Sequence, residues 1–97
     1  MFQVVFTLRA RRQLTAASRW WLEHRDKAPD AFEEDVSRGL ATLAEQPRLG
    51  ERVAAKAGVH RIFLRRIGYF LYYRIASGDT VEVLAVWHHS RGSGPPL

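Results

Sequence analysis

Three short β-forming runs follow one another in the second half of the chain, and their spacing limits the fold more than any other feature. Val59 to Arg65, Tyr69 to Ala76 and Val81 to Trp87 are dominated by Val, Ile, Leu, Phe and Tyr, and the breaks between them carry Gly68 and Ser77-Gly78-Asp79. Runs of this length, separated by turn residues, form an antiparallel meander. The register of the first hairpin follows from a cost argument. Pairing Leu64 with Tyr69 gathers Ile62, Leu64, Leu71, Tyr73 and Ile75 on one face, and Arg61, Phe63, Arg65, Phe70, Tyr72 and Arg74 on the other. A slip by one residue exchanges the faces of a strand. It would put Arg61 and Arg65 beside Leu71 and Tyr73 in the interior, where unpaired guanidinium groups are costly. The connection is therefore Arg65-Arg66-Ile67-Gly68, with Gly68 taking the positive φ. The third run stays open, because Val81, Val83, Ala85 and Trp87 serve as well inward as Leu84 and Val86.

The first half supplies cover for this sheet. Phe2 to Leu8 is apolar and short enough to be a strand, expected to join the meander. Thr7 can then cap a helix from about Arg9 to about Arg25, in which Ala10, Leu14, Ala17 and Trp21 recur on one face. Trp20 points elsewhere, a hundred degrees or so around the helix. Asp26-Lys27-Ala28-Pro29-Asp30 breaks that helix, and Asp30 with Glu33 has the spacing of a capping box for a second one. Phe32, Val36, Leu40 and Leu43 form the second apolar stripe, and Gly39 within it allows close approach to the first helix. Pro47-Arg48-Leu49-Gly50 is a turn, and Glu51 to Gly58 reads as loop. The expected fold is α+β: a strand, a two-helix hairpin, then a three-stranded antiparallel meander with the helices packed on one face of the sheet. Residues 1–91 form a single domain. Residues 92–97, Gly-Ser-Gly-Pro-Pro-Leu, have no core pattern and are expected to be a flexible tail.

Composition removes several classes of function. The chain's 97 residues contain no cysteine, which excludes disulfides and thiolate metal sites. Its first residues, MFQVVFTLRA, lack the basic and apolar regions of a signal peptide, and no run approaches a membrane span. A cytoplasmic protein is expected. The net charge of +5 is unevenly distributed: from Arg52 to Gly78 there are six basic residues and no acidic one, while Asp26, Asp30, Glu33, Glu34 and Asp35 cluster earlier. One side of the molecule should be strongly positive, suited to nucleic acid or to an acidic protein segment.

The order of the elements carries a set of local motifs. Phe6-Thr7 with Ala10 opens the first helix, Trp20-Trp21 lies near its end, and Pro47-Arg48-Leu49-Gly50 follows the second. His60-Arg61 precedes an alternating strand, Gly68-Tyr69 leads into Leu71-Tyr72-Tyr73-Arg74, and Val86-Trp87-His88 with Arg91 closes the pattern. Over essentially the whole chain this succession resembles the RelE/ParE superfamily of toxins from type II toxin-antitoxin modules, the ParE side more than the RelE side. RelE-type toxins cleave messenger RNA on the ribosome with basic side chains on the exposed sheet face, and the resemblance would place these near positions 61, 63 and 70. Arg61 fits. Phe63 and Phe70 neither transfer protons nor neutralise phosphate charge. ParE-type toxins lack that nuclease set and are described as inhibitors of DNA gyrase, which requires no catalytic constellation.

Three readings follow. The first is a ParE-like toxin that inhibits its target by binding and is neutralised by a cognate antitoxin, with which it forms a hetero-oligomer. The second is a ribosome-dependent endoribonuclease using Arg61, His88 and Arg91. The third is a degenerate module that binds antitoxin without toxicity. For the first, the expected contact surface is Arg61, Phe63, Arg65, Phe70, Tyr72 and Arg74, because aromatics exposed on a basic face mark an interface. The matching partner is an antitoxin segment that is acidic, partly apolar and disordered when free. Trp20 is either the flank of the helix hairpin or an anchor for that segment. Tyr73 is inward and structural; Tyr72 is outward. No cofactor is implied. His88 and His89 point to opposite sides of a strand end without a supporting carboxylate cluster, which argues against a metal site.

Overall fold

The computed structural model describes residues 1–97. In chain order it contains β1 (Gln3–Phe6), α1 (Leu8–His24), α2 (Ala31–Glu45), a 3-10 turn at Pro47–Leu49, β2 (Glu51–Arg52), β3 (Val59–Leu64), β4 (Tyr69–Ser77) and β5 (Thr80–His88). One sheet runs in the order β1-β5-β4-β3-β2. β1 lies parallel to β5, and the other pairs are antiparallel. The architecture is the expected α+β succession. It has one strand more, since Glu51 and Arg52, read as loop, pair with Arg61 and His60 at the edge. Two residues are too few to leave a periodic signal.

The first hairpin has the register that the burial of arginine demanded, Leu64 opposite Tyr69, with Gly68 at φ +77°. β5 combines both readings of its facing. Tyr72 pairs with Ala85 and Tyr73 with Val83, so Leu84 is the extra residue of a β-bulge. Val81, Val83 and Val86 pack toward the helices, whereas Leu84, Ala85 and Trp87 pack on the other side. No strict alternation can describe a bulged strand.

The main core lies between the helices and the sheet. Ala10, Ala17 and Trp21 of α1 and Phe32, Val36 and Leu43 of α2 meet Leu64, Leu71, Tyr73, Val81 and Val83. Thr7 caps α1 as expected, its Oγ1 accepting from the Ala10 N–H at 3.0 Å. The Asp30–Glu33 capping box does not form. Asp30 already has helical dihedrals (φ −87°, ψ −8°) and its side chain makes no cap hydrogen bond, whereas a cap needs an extended backbone to turn its oxygen onto the helix end. Gly39 does permit a close approach, but of the sheet and not of α1: a Cβ there would lie 2.5 Å from Leu64 Cδ2. Tyr73 is fully buried, and its hydroxyl donates to the Pro47 carbonyl at 2.5 Å. Gly50 completes that turn because a Cβ would stand 2.0 Å from the hydroxyl oxygen.

Candidate functional site

The outer face of the sheet carries the residues singled out from the sequence, in two zones. At the β3–β4 turn, Phe63 and Phe70 pack with ring centroids 4.9 Å apart. Phe63 is 45% exposed, Arg65 projects from the turn, and the Phe63 ring meets His89 edge-on at 5.9 Å. This zone is open to a partner.

The second zone is covered by the chain itself. Tyr72 faces outward as its register requires, yet it is only 3% exposed. Residues 92–97, expected to be a flexible tail, run back across it. The Ser93 carbonyl accepts from Trp87 Nε1 at 2.8 Å, the Pro96 carbonyl from Arg9 at 2.6 Å, and the Leu97 carbonyl from Lys56 Nζ at 2.7 Å. Leu97 packs against the cluster of Val59, Tyr72 and Ala85. Tyr72 is therefore a small second core and not a free contact residue. The tail escaped a reading by periodicity because its contacts are carbonyl acceptors and one apolar side chain, which no spacing rule marks.

The positive field is also arranged differently from the sequence expectation. Arg61 lies 4.1 Å from the Phe70 centroid, donates to the Tyr72 hydroxyl at 3.1 Å and pairs with Glu51. Its hydrogen bond to Glu51, and then that to Tyr72, hold its pKa above the usual arginine value. Arg74 pairs with Glu82 at 2.8 Å and Arg66 with Glu34 at 3.2 Å. Acids outside the basic run thus offset half of it. The arginines without ion pairs are Arg65 at the open zone, Arg9, Arg11, Arg12, Arg19 and Arg25 along and just beyond α1, and Arg48, Arg52 and Arg91.

His88 and Trp20 do not share the outer face with Arg61. His88 is opposite Tyr69, whose ring packs on Phe32 in the helix-side core at 5.8 Å. Arg91 follows the end of β5, over the Trp87 ring at 4.0 Å. Trp20 is 41% exposed, stacks on His24 at 4.4 Å and has the Arg25 guanidinium 5.1 Å from its centroid. Burial lowers the pKa of His88 below the usual imidazole value, and His89, Arg91 and Arg25 act in the same direction. Burial raises that of Tyr69, with Arg91 opposing. Of the trio Arg61, His88 and Arg91, His88 lies opposite Tyr69 on the helix side, while Arg61 and Arg91 stack on the paired outer-face rings Phe70 and Trp87. No group of three or more His, Asp or Glu residues is placed to hold a metal ion.

Sequence reasoning missed Asp35. It is 3% exposed in the second turn of α2, and its Oδ2 accepts from the backbone N–H groups of Arg66 (2.9 Å) and Ile67 (3.2 Å). It fixes the turn that presents Phe63, Arg65 and Phe70. Its position in line with Phe32 and Val36 on the apolar stripe was the one available signal.

Residues 4–92 match the profile of the "ParE toxin of type II toxin-antitoxin system, parDE". The chain belongs to the ParE toxin family. A search of curated proteins returns no match. Among solved structures, this ParE-family chain is similar to the chromosomal ParDE toxin-antitoxin system of P. aeruginosa, with a TM-score of 0.73, 21% identity and coverage of 91% of this chain and 96% of that one. It is also similar to the intact E. coli RelBE toxin-antitoxin complex (TM-score 0.63, 22% identity, 94% and 100% covered). The YoeB/ParE toxin of Agrobacterium tumefaciens gives a TM-score of 0.60 at 17% identity, with 91% and 99% covered. At these identities the likeness concerns the fold, and it extends over nearly the full length of each neighbour.

Proposed function

We propose that this ParE-family chain is a toxin that inhibits a macromolecular target, DNA gyrase being the first candidate, by binding it without cutting it, and that a cognate antitoxin neutralises it. The observation that carries the non-catalytic part is that Arg61 is already engaged by Glu51 and Tyr72 on the outer face, while His88 lies opposite Tyr69 on the helix side. General acid-base chemistry needs its groups within hydrogen-bond reach of one substrate, and here the open zone instead offers two phenylalanines and an arginine. Exposed aromatics beside a cation suit a partner whose affinity comes from a few buried anchors. The antitoxin contact is assigned to this zone, Phe63, Phe70 and Arg65, and to Trp20 around the corner from it. An acidic, partly apolar segment complements both. No helix is long and apolar enough to cross a membrane, and a cytoplasmic site of action accords with a gyrase target.

Induced expression without antitoxin tests this reading. Filamentation with induction of the DNA-damage response is the expected result. Rapid translation arrest with cut messages would replace it by the nuclease reading, and normal growth by that of a module without toxicity.

A further inference from the structure

Around the corner from the aromatic zone, α1 and the ends of β4 and β5 enclose a cavity of about 280 Å³ whose walls include Gln13, Trp20, Tyr69, Val86, His88 and Arg91. Its frame is held by hydrogen bonds. Gln13 Oε1 accepts from the Val86 N–H at 2.8 Å, tying α1 to β5. The Ser90 N–H donates to His88 Nδ1 at 3.1 Å, which leaves the ring proton of neutral His88 on Nε2. Tyr69 meets His88 edge-on at 4.9 Å.

The charges at this cavity are all of one sign. Arg91 stacks on Trp87 and Arg25 on Trp20, and the four ion pairs of the chain involve neither. The charged groups acting on His88 are His89, Arg91 and Arg25, with no carboxylate among them. Arg91 is the one cation lining the cavity, and with Arg25 beside its Trp20 wall and no carboxylate in the lining, the site favours entry of an anion.

We propose that this cavity is an oxyanion site that takes the carboxylate of a Glu or Asp side chain from a partner segment, with Arg91 and the His88 Nε2–H donating to its oxygens and Trp20 packing on its aliphatic stem. The size of the cavity favours the end of a side chain over a phosphodiester, which carries substituents on two sides. A guanidinium matches the planar carboxylate directly. The proposal rests on the antitoxin reading only for the source of that side chain.

The test uses the full chain and two small probes, N-acetyl-glutamate amide and dimethyl phosphate. At constant ionic strength, NMR follows the Trp20 indole, the His88 ring and the Arg91 Nε–H. The glutamate probe should shift all three saturably, and Arg91→Ala should weaken its binding about tenfold, the size of one charge-assisted hydrogen bond. Arg11→Ala, on the same helix but away from the cavity, should leave binding unchanged. Tighter binding of dimethyl phosphate than of the glutamate probe would overturn the peptide assignment in favour of a nucleic-acid backbone. Absence of a saturable shift with either probe, or equal weakening by both substitutions, would overturn the site. Because the probes are small anions, these outcomes are independent of whether the chain is toxic or has gyrase as its target.

Discussion

Asp35 shows how one side chain links the helix layer to the functional end of the sheet. A carboxylate inside an apolar stripe is unfavourable unless its oxygens are used, and here they accept two backbone N–H groups of the β3–β4 turn and pair with Arg38 at 3.3 Å. Asp35→Ala leaves two donors unsatisfied and should destabilise the fold by about 1–3 kcal/mol, read from urea unfolding. Asp35→Asn, which keeps an acceptor, should cost less. At the same turn, Phe63 and Arg65 should affect binding in different ways. Phe63→Ala should weaken antitoxin binding by more than about 1 kcal/mol with little change in salt dependence, whereas Arg65→Ala should mainly slow association. Titration calorimetry and stopped-flow mixing measure the two effects. Wild-type values for both variants would exclude this zone from the interface.

The helix ends separate what a motif suggests from what the backbone permits. Thr7 has extended dihedrals (φ −67°, ψ 161°) and accepts from Ala10, so Thr7→Ala should cost about 1 kcal/mol of stability. Asp30 sits in a spacing as favourable, but its helical backbone keeps the carboxylate from the helix end. Asp30→Ala should therefore change stability by no more than about 0.5 kcal/mol, a surface effect. Thermal or urea unfolding of the two variants compares them directly. The bulge at Leu84 acts on a longer element. By adding one residue to β5 it turns Ala85 and Trp87 outward, while Val81 and Val83 remain beneath the helices, and so makes room for the second core.

On the scale of the molecule, the sheet is covered on both sides, by the helix hairpin over one face and by the returning tail over part of the other. Deleting residues 93–97 removes the acceptors of Trp87, Arg9 and Lys56 and uncovers Val59, Tyr72 and Ala85. The shortened chain should lose about 1 kcal/mol or more of stability, in keeping with exposure of a Leu-sized apolar surface. It should also bind a hydrophobic dye that the full chain does not. Unchanged unfolding and dye binding would mean that the tail contributes nothing to the cover.

The α+β order, the first hairpin's register, the cap at Thr7 and the apolar stripes of both helices were legible in the residues, because each depends on local periodicity or on a burial cost too large to evade. The strand at Glu51–Arg52, the facing of Ala85 and Trp87, the covering of Tyr72 and the pairing of Arg61 with Glu51 were not. Each depends on groups far apart in sequence meeting in space, or on a single inserted residue that shifts the phase of a strand. The same reason separates the two halves of the candidate site. Phe63 and Phe70, like Tyr69 and His88, are opposite each other by register alone, whereas Trp20 joins Tyr69, His88 and Arg91 only when α1 packs against the end of the sheet.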